Sequence, residues 1–244
     1  MTNSQQYGAV NAEPIRLDAS RDRRRALVAL ALLVPAPTIG TVMAMGVAPG
    51  PVGQSIYFAS KLWILLAPLV WHRLVEREPL GVARPSRLGN AAGLATGALI
   101  GAGIYSAYVI AGGVIDAEAL RSAASQNGIG DPARYIAFAV YLCAVNALLE
   151  EYVWRWFVYQ QCEAIVAPVP AVALSATLFT IHHVIALRLQ VGWTVTILGS
   201  AGVWIGGAIW SWLYLRYRSI WPGYVSHVIA DIVILAIGYE LIFG

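Results

Sequence analysis

A chain of 244 residues with 59% hydrophobic and only 12% charged side chains, and a mean hydropathy of +0.66, lies outside the composition of soluble domains and predicts an integral membrane protein. A net charge of +3, carried by basic residues beside apolar segments, argues against a nucleic-acid partner and fits orientation in a bilayer. The two cysteines, Cys143 and Cys162, fall about 28 Å apart along one predicted helix, too far to bridge.

The polar head, residues 1–25, lacks the apolar content to fold alone and reads as a disordered cytoplasmic tail. Seven apolar segments long enough to cross a bilayer follow: 26–46, 54–71, 90–114, 135–159, 169–188, 193–217 and 220–243. The first is expected to be a retained span, kinked by Pro35 and Pro37. Between the third and fourth, a loop at 115–134 carries a short amphipathic piece near 117–124 and a turn around Asn127-Gly128. The fold class predicted is therefore an all-α polytopic membrane protein. Residues 26–134 would form N-terminal transmembrane helices, and 135–244 a C-terminal helical core with a polar cavity between its helices. Arginines at 16, 21 and 23–25, at 73, 77, 84 and 87, and at 216 and 218 flank alternate loops. By the positive-inside rule they predict a cytoplasmic N-terminus and an external C-terminus.

Ionisable groups inside such spans cost several kcal/mol unless paired, so each is a functional-site candidate by default. In the fourth span, Glu151 and Arg155 stand at i,i+4 and share one helix stripe, which suits an ion pair, while Glu150 points about 100° away. In the last span, His227 and Asp231 share a face in the same way, so that the carboxylate can orient the imidazole. With His183 in the fifth span, these groups fall at similar depth. Glu150 lies roughly 14 Å, His183 roughly 21 Å and His227 roughly 11 Å from one end of its own span.

Two chemistries fit that set. Glu150 can activate a water while His227 and neighbouring donors stabilise the oxyanion formed at a scissile carbonyl. Alternatively Glu150, His183 and His227 can hold a zinc ion whose bound water attacks, although no local two-histidine zinc motif such as HExxH is present.

The segments Glu150-Glu151-Tyr-Val-Trp-Arg155, Phe179-Thr-Ile-His-His183 and His227-Val-Ile-Ala-Asp231, in this order, resemble the EExxxR, FxxxH and HxxxN/D motifs of the CAAX protease and bacteriocin-processing (CPBP, or Abi) family. The run Ser219-Ile220-Trp221-Pro222 resembles that family's approach to its third motif. The resemblance implies an intramembrane endopeptidase, with Glu150 activating water, Glu151 and Arg155 supporting it, and His183, His227 and Asp231 completing the cavity. It implies a membrane-associated substrate, either a prenylated tail, a leader peptide or a sorting anchor. Asp231 stands where the family often has Asn, and Trp156 where it often has Gly. An ionised Asp cannot donate a hydrogen bond, so at 231 it is expected to hold His227 or to ligate a metal rather than to stabilise an oxyanion.

Plainer roles are expected for other features. His182 reads as an interhelix polar contact, Glu240 as a snorkelling interfacial residue, and the small-residue runs at 93–103 and 199–207, with Gly202 and Gly206 four apart, as packing surfaces. Trp63, Trp71, Trp193 and Trp221 fall where interfacial anchors would, and at least two of Trp154, Trp156 and Trp204 are expected to face lipid. Two non-enzymatic alternatives remain: a membrane partner or bacteriocin self-immunity factor that uses the scaffold only to bind, and a small transporter, for which no internal repeat is visible.

Overall fold

The computed structural model describes residues 19–78, 81 and 83–244, so residues 1–18 of the predicted tail lie outside it. Among the described residues, seven helices are long and apolar enough to cross a membrane: α1 Asp22–Val47, α2 Pro51–Glu76, α3 Arg87–Val114, α5 Pro132–Glu163, α6 Pro168–Arg188, α7 Trp193–Tyr217 and α8 Trp221–Phe243. A short amphipathic helix, α4 (Ala117–Gln126), joins α3 to α5. No strand occurs among the described residues. The protein is thus an all-α, multi-pass integral membrane protein. Residues 19–25, expected to belong to the tail, instead form the first turns of the helix that continues into α1.

Local sequence explains the helix ends. Pro51, Pro132 and Pro168 sit at first helical positions, where the missing N–H is harmless. Asp116 and Asp131 cap α4 and α5 by accepting from the amides of Ala119 and Arg134 at 2.9 and 3.0 Å. Arg218 closes α7 in a left-handed conformation, φ 48°. The helical run of α1 breaks at Val34, just before Pro35 and Pro37, as those prolines predict.

Large apolar side chains such as Phe58, Leu99, Ile110 and Val169 face outward. In water they would be a liability; toward lipid tails they are the solvated face. The interior centres on α5, from which Val153, Trp154, Phe157, Val158 and Tyr159 are buried against Phe179 of α6 and Trp210 and Leu213 of α7. Between Glu151 and Tyr159 this helix winds with wide i,i+5 turns, a feature that concentrates at functional sites.

The glycine face of α3 acts as the sequence suggests. A Cβ at Gly93 would overlap the Pro222 backbone, and one at Gly97 would press on Ser226 and Ile229, so α3 and α8 pack backbone to backbone. In α7 the expectation needs correction. Gly202 has open space around it, and the close approach is made at Gly199 against Leu187 and at Gly207 against Phe179 and Ala176. The tryptophan expectation is also corrected, because Trp154 and Trp156 are buried, at 1% and 9% exposure, and only Trp204 reaches the outer surface. Wide turns and the central place of α5 put both inside.

Candidate active site

Helix α5 carries Glu150 and Glu151 into the bundle, α6 brings His182 and His183, and α8 brings His227 and Asp231. Glu150, Glu151, Arg155, His182 and His227 are all buried; His183 and Asp231 are half-buried. The predicted convergence in depth therefore becomes contact. His227 lies at its centre, with Nε2 3.7 Å from Glu150 Oε2 and 3.7 Å from Asp231 Oδ1, and Nδ1 3.1 Å from Glu151 Oε1.

That last distance changes the expected division of labour. Nδ1–H donates to Glu151 from another helix, whereas Asp231, one turn along α8, stands off at the other ring nitrogen. The ring is also clamped by Trp210, stacked on it at 3.9 Å with an interplanar angle of 15°. Trp210 is itself anchored by Nε1–H donation to Ser226 Oγ at 3.0 Å, and Thr96 of α3 donates to the same Ser226 oxygen at 3.1 Å. Gly223 faces Glu151 so closely that any Cβ would collide with that carboxylate.

Glu151 and Arg155 form the ion pair their spacing predicts, Nε to Oε1 3.6 Å, with both side chains fully buried. The guanidinium packs against the rings of Phe179 and Trp210, at 4.6 and 5.1 Å from their centroids. Its Nη2 donates to the Gly207 carbonyl at 3.4 Å. Arg155, Glu151 and His227 thus form one chain, in which the arginine holds the glutamate that holds the imidazole.

On α6, His183 Nδ1 donates to the Phe179 carbonyl at 3.0 Å, which leaves the Nε2 lone pair available to a proton or a metal. His182, expected to make an interhelix contact, lies parallel to Trp154 with ring centroids 5.4 Å apart, and its Nδ1 has no hydrogen-bond partner. Ligand atoms of Glu150, His182 and His183 come within 4.8 Å of one another. Among the described residues, the group that could hold a metal therefore contains His182 and not the expected His227.

Sequence reading missed several residues of this site. Asn146, one turn before Glu150, donates its amide to Glu150 Oε1 at 2.9 Å, and Lys61 of α2 donates to Asn146 Oδ1 at 2.8 Å. Lys61 carried a legible signal, a lone ammonium in mid-span; Asn146, Trp210 and Gly223 carried none without the packing. Apart from these residues, α1, α2 and Phe157 of α5 enclose an apolar groove of about 390 Å³ that includes Leu33, Leu62, Leu66 and Trp71 and none of the site's ionisable groups.

Fold and site together define a multispanning membrane protein with a buried carboxylate–imidazole centre. Residues 132–233, which include all three motifs, match the family model for type II CAAX prenyl endopeptidase, Rce1-like. The resemblance of this core to the CPBP family is borne out, and the family implies a membrane protease. No curated protein and no solved structure matches the chain.

Proposed function

We propose that this protein is an intramembrane endopeptidase in which Glu150 activates the water that hydrolyses a peptide bond of a membrane-associated substrate. The observation that carries this reading is the fixed, buried Glu150 carboxylate, with one oxygen bound to Asn146 and the other facing His227 Nε2. In this reading Glu150 takes a proton from water as the oxygen bonds to the scissile carbonyl carbon. The same proton passes to the amide nitrogen as the C–N bond breaks. His183 offers its Nε2 lone pair to the water, and His227 acts as the imidazolium, with Nδ1–H held by Glu151 and Nε2–H donating to the developing oxyanion. Asp231 adjoins that nitrogen, while Glu151 and Arg155 act by positioning.

Prenylated tails, leader peptides and sorting anchors are the substrate classes considered, each delivered within the membrane. The test is cleavage, by detergent-purified protein, of a panel of internally quenched prenylated and leader-type peptides. Wild type should cleave at least one of them, and Glu150→Gln and His227→Ala should not; full rates from either properly inserted variant would refute the assignment.

A second chemistry for the same site is supported by the approach of Glu150, His182 and His183 to within 4.8 Å and by the anchored Nδ1 of His183. Those three residues would hold a zinc ion, which would supply an activated water.

A further inference from the structure

Lys61 is the only lysine among 244 residues; the other 15 of the 16 Lys and Arg residues are arginine. It stands about 15 Å along α2 from Pro51, near mid-membrane, where an ammonium is expensive and usually functional. It lies outside the three motifs and outside the matched segment 132–233. Its Nζ lies 5.5 Å from the Tyr57 ring centroid and donates to Asn146 Oδ1 at 2.8 Å. Asn146 Nδ2 in turn donates to Glu150 Oε1 at 2.9 Å.

The order of donors in this chain has a direction. An ammonium has only donors, so it can bind only the oxygen end of the Asn146 amide, and this turns the NH₂ end toward Glu150. Without the ammonium the oxygen end of the amide loses its anchor, and the Asn146 side chain can leave the rotamer that binds Glu150. With it, Glu150 Oε1 is occupied and Oε2 is left facing His227 Nε2. The three carboxylates of the site, Glu150, Glu151 and Asp231, are thereby offset by cations on two sides, Arg155 from within α5 and Lys61 from α2.

We propose that Lys61 is a positioning residue for hydrolysis, acting through Asn146 to fix the Glu150 carboxylate so that Oε2 is the oxygen that meets the water. This rests on Glu150 being the activating base. It also brings α2, from the N-terminal helices, into the working site.

The experiment measures kcat and KM for Lys61→Met, Lys61→Gln, Asn146→Leu and the Lys61→Met/Asn146→Leu double variant. Glu150→Gln runs in parallel, on a quenched peptide that the wild type cleaves. Lys61→Met and Asn146→Leu should each lower kcat by about 10²-fold with KM little changed, as expected for misplacement of a reacting group. The double variant should be no worse than either single one, because both break the same chain. Lys61→Gln, which keeps a donor for Asn146 Oδ1 without the charge, should recover part of the loss, a result that simple misfolding would not produce. Wild-type kcat in Lys61→Met beside an inactive Glu150→Gln would overturn the positioning role alone, as would losses that multiply in the double variant. Wild-type rates in Glu150→Gln would overturn the base assignment and this proposal with it.

Discussion

His227 Nδ1 is bound at 3.1 Å by Glu151 Oε1, not by Asp231, although Asp231 is one turn away on the same helix. The carboxylate that orients the imidazole therefore comes from the neighbouring span and is itself held by Arg155. Glu151→Gln, with an amide that can turn either end toward the ring, should lower kcat by about 10²-fold. Asp231→Asn should lower it by less than about 10-fold, because Nδ1 keeps its acceptor. Steady-state kinetics of the two variants on one cleaved peptide decide the order, and a larger loss at 231 than at 151 would reverse this assignment.

Gly223 gives a steric version of the same test. A methyl group there would strike the Glu151 carboxylate, which lies at the bottom of the site and has one buried oxygen without a partner. Gly223→Ala should therefore reduce cleavage by about 10²-fold while α8 remains helical. Gly202→Ala, on a stretch of α7 with nothing within reach, should leave activity intact and gain a few tenths of a kcal/mol in helix stability. Activity assays with circular dichroism melts separate the two, and an inert Gly223→Ala would show that Glu151 has room to move.

The metal alternative turns on His182. Cleavage that resists chelators and survives His182→Ala, in protein without stoichiometric zinc, is the outcome expected for a glutamate-activated water. Stoichiometric zinc by elemental analysis, lost together with cleavage in His182→Ala, would instead place the ion on Glu150, His182 and His183.

What the sequence made legible was whatever the membrane makes expensive. Carboxylates and imidazoles in apolar spans mark themselves, and i,i+4 spacing by itself pairs Glu151 with Arg155. The seven spans and the all-α class follow from the same hydropathy. Partnerships across helices were not legible, because rotation of one helix against another decides them. His227 faces Glu151, Trp154 and Trp156 face inward, and Gly207 rather than Gly202 makes the close approach. The wide turns of α5 likewise leave no mark in a periodicity argument. Lys61 was readable by the rule that found Glu150, yet its role needs the position of Asn146, 85 residues further along the chain.

Arg155 is the residue on which most of the site converges. Its guanidinium is fully buried, 3.6 Å from Glu151, against two aromatic rings and one backbone carbonyl, and its Nε and Nη1 have no hydrogen-bond partner. Removing it leaves the Glu151 carboxylate buried without its counter-charge, a loss of about 3–5 kcal/mol for a pair broken on one side. Arg155→Met should therefore lower the detergent melting temperature sharply and abolish cleavage. Arg155→Lys keeps the charge but has no flat face to lay against Phe179 and Trp210 and no fork to reach both Glu151 and Gly207. It should recover part of the melting temperature while remaining at least about 10-fold impaired in kcat. Differential scanning fluorimetry and kinetics on both variants check this, and a fully active lysine variant would mean that charge alone holds Glu151 in place.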